Sequence, residues 1–164
     1  MRTTLQGPFC VGIDLSSRTV DLVRLDENVD EAQWLSVPLQ GDQAWDRVRL
    51  IADRMPPAGW WADVYLCAIE RPFARARQDV VRLAQGAALA CIPTHIVTWE
   101  VTPAIWKKHL GLKQSEKPSW SDLPASCFDD YWPQDARDAL GIALWARDTN
   151  AQGIADLLGG NAAA

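Results

Sequence analysis

Histidine is scarce in this chain. His95 and His109 are the only two, which argues against a metal site built on imidazoles. Cysteine offers no replacement: Cys10, Cys67, Cys91 and Cys127 lie far apart with no C-x-x-C spacing, so neither a zinc site nor a disulfide framework is suggested. Three of the four fall in apolar segments, where a free thiol behaves as a small hydrophobe. Long apolar runs are missing too. None approaches the ~18 residues that a membrane span requires, and no signal-peptide core follows the first charge. The chain is therefore expected to be cytoplasmic, without a membrane partner. There is no internal repeat.

An excess of positive charge is also lacking, since the net charge is −5. Taken as a sum, that argues against a nucleic-acid partner. The distribution says more. Acids crowd into residues 26–31 and at Asp129–Asp130, whereas residues 71–82 carry four arginines against one aspartate. Residues 107–117 carry four lysines against one glutamate. Two basic patches on an acidic protein are compatible with a local DNA or RNA footprint, although solvated helix faces would give the same pattern.

What is present is enough for one folded domain. The chain has 164 residues, 48% of them apolar, and a single domain over residues 1–152 is expected, with a weakly ordered tail at 153–164. The stretch Val64-Tyr65-Leu66-Cys67-Ala68-Ile69-Glu70-Arg71-Pro72-Phe73 organises the rest. An apolar run closed by a breaker reads as a strand buried on both faces. Pro72 cannot donate to a ladder, so the strand stops near Glu70.

The other elements follow in order. Residues 9–14 form a strand ending at Asp14, residues 15–18 a polar turn, and residues 19–25 a second strand. After a charged turn, residues 33–39 make a third, giving an antiparallel meander. Trp45, Val48, Ile51, Ala52 and Met55 recur at helical spacing until Pro56-Pro57 stops the helix. A second helix is expected over 76–91, a fifth strand over 95–101, and a short helix from Thr102-Pro103 to Leu110. Residues 111–132 are loop-like, with Trp120, Phe128, Tyr131 and Trp132 as anchors. Pro133 opens the last helix, from Gln134 to about Thr149. The predicted class is α/β: a five-stranded mixed sheet, three antiparallel strands then two parallel, with helices on both faces. That element order is the order of the ribonuclease H-like fold.

Four acids then become candidates for one site. Asp14 and Glu70 end strands that are neighbours in such a sheet, at the edge where open α/β sheets place their sites. Asp135 and Asp138 are three apart in the first turn of the last helix, hence on one face. The helix dipole alone would explain them as well. Converging carboxylates repel unless cations are bound, and hard oxygen ligands suit Mg²⁺, with Mn²⁺ as a substitute. Two such ions can hydrolyse a phosphodiester.

The motifs resemble those of the RuvC-type Holliday junction resolvases. Gly12-Ile13-Asp14-Leu15-Ser16-Ser17-Arg18 is similar to the family's first-strand motif, and Ala68-Ile69-Glu70-Arg71-Pro72-Phe73 to its second. Leu83-Ala84-Gln85-Gly86, Lys107 with residues 111–117, and Asp135-Ala136-Arg137-Asp138-Ala139-Leu140 follow in the family's order. The resemblance implies a magnesium-dependent endonuclease, a homodimer that resolves four-way or other branched DNA. Asp14, Glu70, Asp135 and Asp138 would hold two ions, and Lys117 would act beside them. Phe73 would wedge into the junction, with Arg71, Arg75, Arg77, Lys107, Lys108, Lys113 and Lys117 on the DNA. Ser16 departs from the family's usual glycine, and the Pro- and Trp-rich stretch before Asp135 replaces a longer helix.

Other functions fit less well. Residues 11–17 also resemble the first phosphate loop of actin-like and sugar-kinase ATPases, but the second loop and second domain of that class are absent. A YqgF-like nuclease of structured RNA and a non-catalytic DNA-binding protein are the alternatives within the fold. Of the nine tryptophans, those on helices (Trp45, Trp106, Trp145) are expected in the core or covering it, and Trp60-Trp61 over the sheet.

Overall fold

The computed structural model describes residues 8–26, 31–71, 78–124 and 132–160. Five strands, β1 (Phe9–Leu15), β2 (Thr19–Asp26), β3 (Ala32–Pro38), β4 (Val64–Glu70) and β5 (Val97–Val101), form one sheet in the order β3-β2-β1-β4-β5. β1 pairs antiparallel with β2, and β2 with β3; β1–β4 and β4–β5 are parallel. This is the expected mixed sheet. β5 starts two residues later than the periodicity predicts, because Pro93 to Ile96 closes a turn (Ile96 N–H to Pro93 O, 3.0 Å).

Alternation along β1 assigns the two faces. Phe9, Val11, Ile13 and Leu15 pack into a core with Ile51 and Met55 of α1 (Ala44–Arg54) and its C-cap, and with Ala84 and Ala88 of α2 (Gln78–Cys91). Cys10 points the other way, into a cluster with Leu66, Ala68, Trp106, Ile142 and Ala146. That second face is covered by α3 (Pro103–His109) and α4 (Gln134–Gly160). Gly12 is the point of closest approach. A Cβ there would collide with the Ala139 carbonyl oxygen and lie 2.5 Å from the Ala143 nitrogen, so only glycine lets α4 lie on β1.

Several local expectations change. α4 runs on past Thr149 to Gly160, because 150–158 contains good helix formers and Gly153 alone does not stop a helix. Thr102 precedes α3 without a side-chain capping bond, and Pro103 takes the first turn. Trp45 is not a core or cover residue: it is 68% exposed, whereas Trp61 and Trp106 are fully buried. In the 111–132 segment, Leu123 is buried against α4 and Trp132 packs on Trp34 with ring centroids 6.0 Å apart. Phe128 and Tyr131 lie outside the described residues, as does Cys127. Cys10 and Cys67 are buried small hydrophobes; burial pushes the Cys10 thiol up to about 12. Among the described residues no helix is long and apolar enough to cross a membrane.

Candidate active site and metal centre

β1 and β4 end side by side, with Ile13 in register with Ile69. Their last face-sharing acids, Asp14 and Glu70, therefore emerge together at the carboxyl edge of the sheet. α4 begins over the same edge, which brings its first-turn acids down onto Asp14. One carboxylate oxygen from each of Asp14, Asp135 and Asp138 lies within 4.8 Å of the others. Glu70 stands outside that set. Its Oε2 accepts a hydrogen bond from the Trp106 indole at 2.7 Å.

Burial intensifies the repulsion. Asp14 and Asp138 are only 6% and 5% exposed. Burial, and then the charges of Glu70, Asp138, Asp135 and Asp21, hold the Asp14 carboxyl well above the usual carboxylate range. Glu70 is pushed up to about 7, chiefly by burial; the Trp106 bond and the ammonium groups of Lys107 and Lys117 oppose that rise, and Asp138 adds to it. The donor set is all carboxylate oxygen on two strands and a helix, and two of its members, Asp14 and Glu70, are pushed toward the protonated form. It fits a hard divalent ion such as Mg²⁺ or Mn²⁺.

Lys117 Nζ donates to Asp138 Oδ2 at 3.2 Å. Burial lowers its pKa, but the charge and hydrogen bond of Asp138, with Asp14 and Asp135 behind, outweigh this and leave it raised. Lys107 is 8% exposed; its ammonium donates to the Gln114 carbonyl at 3.0 Å and lies 5.4 Å from the Trp106 ring centre. It is a buried support near Glu70, not an open cation. Lys108 and Lys113 are exposed, and Arg71 is exposed with Nε 3.7 Å from Glu100. Phe73, Arg75 and Arg77 lie outside the described residues.

Four positions that sequence reasoning passed over join the site. Thr19 Oγ1 donates to Asp135 Oδ2 at 3.2 Å, and Gln134 Nε2 to Asp138 Oδ1 at 2.9 Å. Trp106 orients Glu70, seated by Gly141, where a Cβ would come within 2.8 Å of its ring. Asp21 is buried directly opposite Asp14. Only Asp21 had a readable signal, an acid set between the apolar residues Val20 and Leu22-Val23. Ser16, in the position of the expected glycine, stitches the β1–β2 turn: its hydroxyl accepts the Arg18 and Thr19 amides at 3.1 and 2.9 Å.

The strand order, the helix placement and the acids at the carboxyl edge define a ribonuclease H-like fold. Among solved structures it is shared with RuvC of Thermus thermophilus. One such structure has 20% identity and a TM-score of 0.64, over 88% of this chain and 96% of the other. A second, RuvC in complex with a Holliday junction substrate, has 19% identity and a TM-score of 0.66, over 90% and 97%. No protein-family model and no curated protein sequence matches the chain.

Proposed function

We propose that this protein is a metal-dependent, structure-selective endodeoxyribonuclease that resolves four-way or other branched DNA by phosphodiester hydrolysis. The observation that carries this reading is the convergence of Asp14, Asp135 and Asp138 within 4.8 Å. They meet at the carboxyl edge of a fold shared with a RuvC that has been seen on a Holliday junction.

Asp14, Asp135 and Asp138 would hold Mg²⁺, with Mn²⁺ as a substitute, and Glu70 would complete a second position beside them. Bound divalent ions supply an activated water and stabilise the leaving oxygen. Trp106 fixes the orientation of Glu70, and Lys107 and Lys117 favour its ionised form. Lys117 also fixes Asp138 while its side chain stays 61% exposed, able to meet a phosphate. Arg71, Lys108 and Lys113 would contact the DNA backbone, with Arg75 and Arg77, and Phe73 would enter the branch point, where bases are already partly unstacked. A homodimer would deliver two symmetric nicks.

The test is cleavage of a four-way junction, a linear duplex and an RNA hairpin, each with Mg²⁺, Mn²⁺ or chelator. Paired nicks in the junction alone, lost with chelator, are expected. Preferential cutting of the hairpin would make the protein a structured-RNA nuclease. Binding without any cutting would make it a non-catalytic member of the fold.

A further inference from the structure

Asp21 is the buried acid that the proposed mechanism does not use. It sits in the middle of β2, 2% exposed, and pairs with Asp14 across the antiparallel ladder. Directly opposed residues share a face, so its side chain lies on the α4 side with the acid cluster. Its Oδ1 accepts the Trp34 indole N–H at 2.9 Å. Its Oδ2 is fully buried and, among the described residues, has no hydrogen-bond partner.

A buried carboxylate oxygen left unmet costs about 1–3 kcal/mol or more. A purely structural acceptor for Trp34 would need only one oxygen, and an amide would serve. A second carboxylate oxygen beside three converging acids adds repulsion that the fold alone has no use for. A divalent ion held by Asp14, Asp135 and Asp138 changes this balance. Mg²⁺ keeps several waters when few protein ligands hold it, and those waters carry protons that need acceptors. Groups that receive such protons tune affinity for the ion.

We propose that Asp21 is an outer-sphere positioning residue for the cation, accepting a hydrogen bond on Oδ2 from water in its coordination shell while Trp34 fixes the carboxylate through Oδ1. This rests on the metal-centre reading above and names a fifth acid for it. Trp34 also packs on Trp132, three residues before Asp135, so the same indole steadies the approach to α4.

The test is calorimetric titration of the full-length metal-free chain with Mn²⁺ alone, alongside thermal melting without metal. Asp138→Asn is the control for the centre itself and should remove most of the binding. Asp21→Asn keeps an acceptor for Trp34 but removes the charge; it should weaken Mn²⁺ about tenfold without lowering the metal-free melting temperature. Trp34→Phe should weaken it by a smaller factor. If Asp138→Asn binds Mn²⁺ as well as wild type, the metal centre is wrong and the role of Asp21 falls with it. If Asp138→Asn loses binding but Asp21→Asn keeps wild-type affinity, the centre stands and the Asp21 proposal is overturned. Should Asp21→Asn not fold, unchanged affinity in Trp34→Phe overturns it equally.

Discussion

The two faces of β1 belong to different molecules in all but covalent terms. On one face Val11, Ile13 and Leu15 fill an apolar core with α1 and α2. On the other, Gly12 and Asp14 meet α4, and within one strand step the environment changes from backbone contact to clustered charge. The first face lowers the free energy of the fold. The second stores repulsion that the first must hold in check. The second face also holds an apolar cluster around Cys10 and Trp106, so the pleat confines the crowded acids to one face without leaving that face unpacked.

The largest expected effect lies on the second face. Asp14→Asn, Glu70→Gln and Asp138→Asn should each lower junction cutting by at least about a thousandfold, while junction binding stays equal or tightens because a negative charge facing phosphate is gone. Gel-shift and cleavage assays on the same substrate measure both. Near-normal cutting would remove the acid from the site. Next comes the first face: Ile13→Ala should destabilise the fold by about 2–5 kcal/mol in denaturant unfolding. Any protein still folded should keep Mn²⁺ affinity, and a parallel loss of affinity would show that the faces are not separate.

A smaller effect follows from titration. Asp14 and Glu70 have folded pKa values above their ordinary ones, so the folded state binds more protons than the unfolded state in between. Stability is therefore greatest below the ordinary value and is lost as pH rises through the folded one, from 4.5 to about 7 for Glu70. The metal-free protein should be less stable near pH 8 than near pH 5, by on the order of 1 kcal/mol or more, and should melt at a lower temperature. Mg²⁺ should raise the melting temperature more at the higher pH; an equal rise at both would contradict the crowding. The smallest effect is at Trp45. Being largely exposed, Trp45→Ala should change stability by under about 0.5 kcal/mol, and a larger loss in chemical unfolding would mean that it is covered.

Much of this architecture was legible in residue order. Pro72 and the run before it fixed the end of β4, and the placement of Asp14 and Glu70 on adjacent strand ends followed from the order of elements. Asp135 and Asp138 were legible from their spacing. The contacts that orient them were not. Trp106 reaches Glu70 across 36 residues and Thr19 reaches Asp135 across 116, and such pairs exist only once α3 and α4 have packed. The resemblance placed Lys107 on the DNA, and nothing in the residue order announced the Gln114 carbonyl that its buried ammonium meets. Trp45 misled by its place in an apparent stripe; six residues before buried Ile51, it stands about 120° around the helix from it.

Gly12 has a consequence beyond packing. It sets the gauge between two rigid bars, the tip of β1 and the first turns of α4, whose far ends carry the acids. With no side chain to act as a shim, the separation of Asp14 from Asp135 and Asp138 is fixed by backbone against backbone. The spacing is therefore set by the packing of the backbone itself. A single added methyl group there would work as a wedge near the fulcrum, parting the carboxylates without touching one of them.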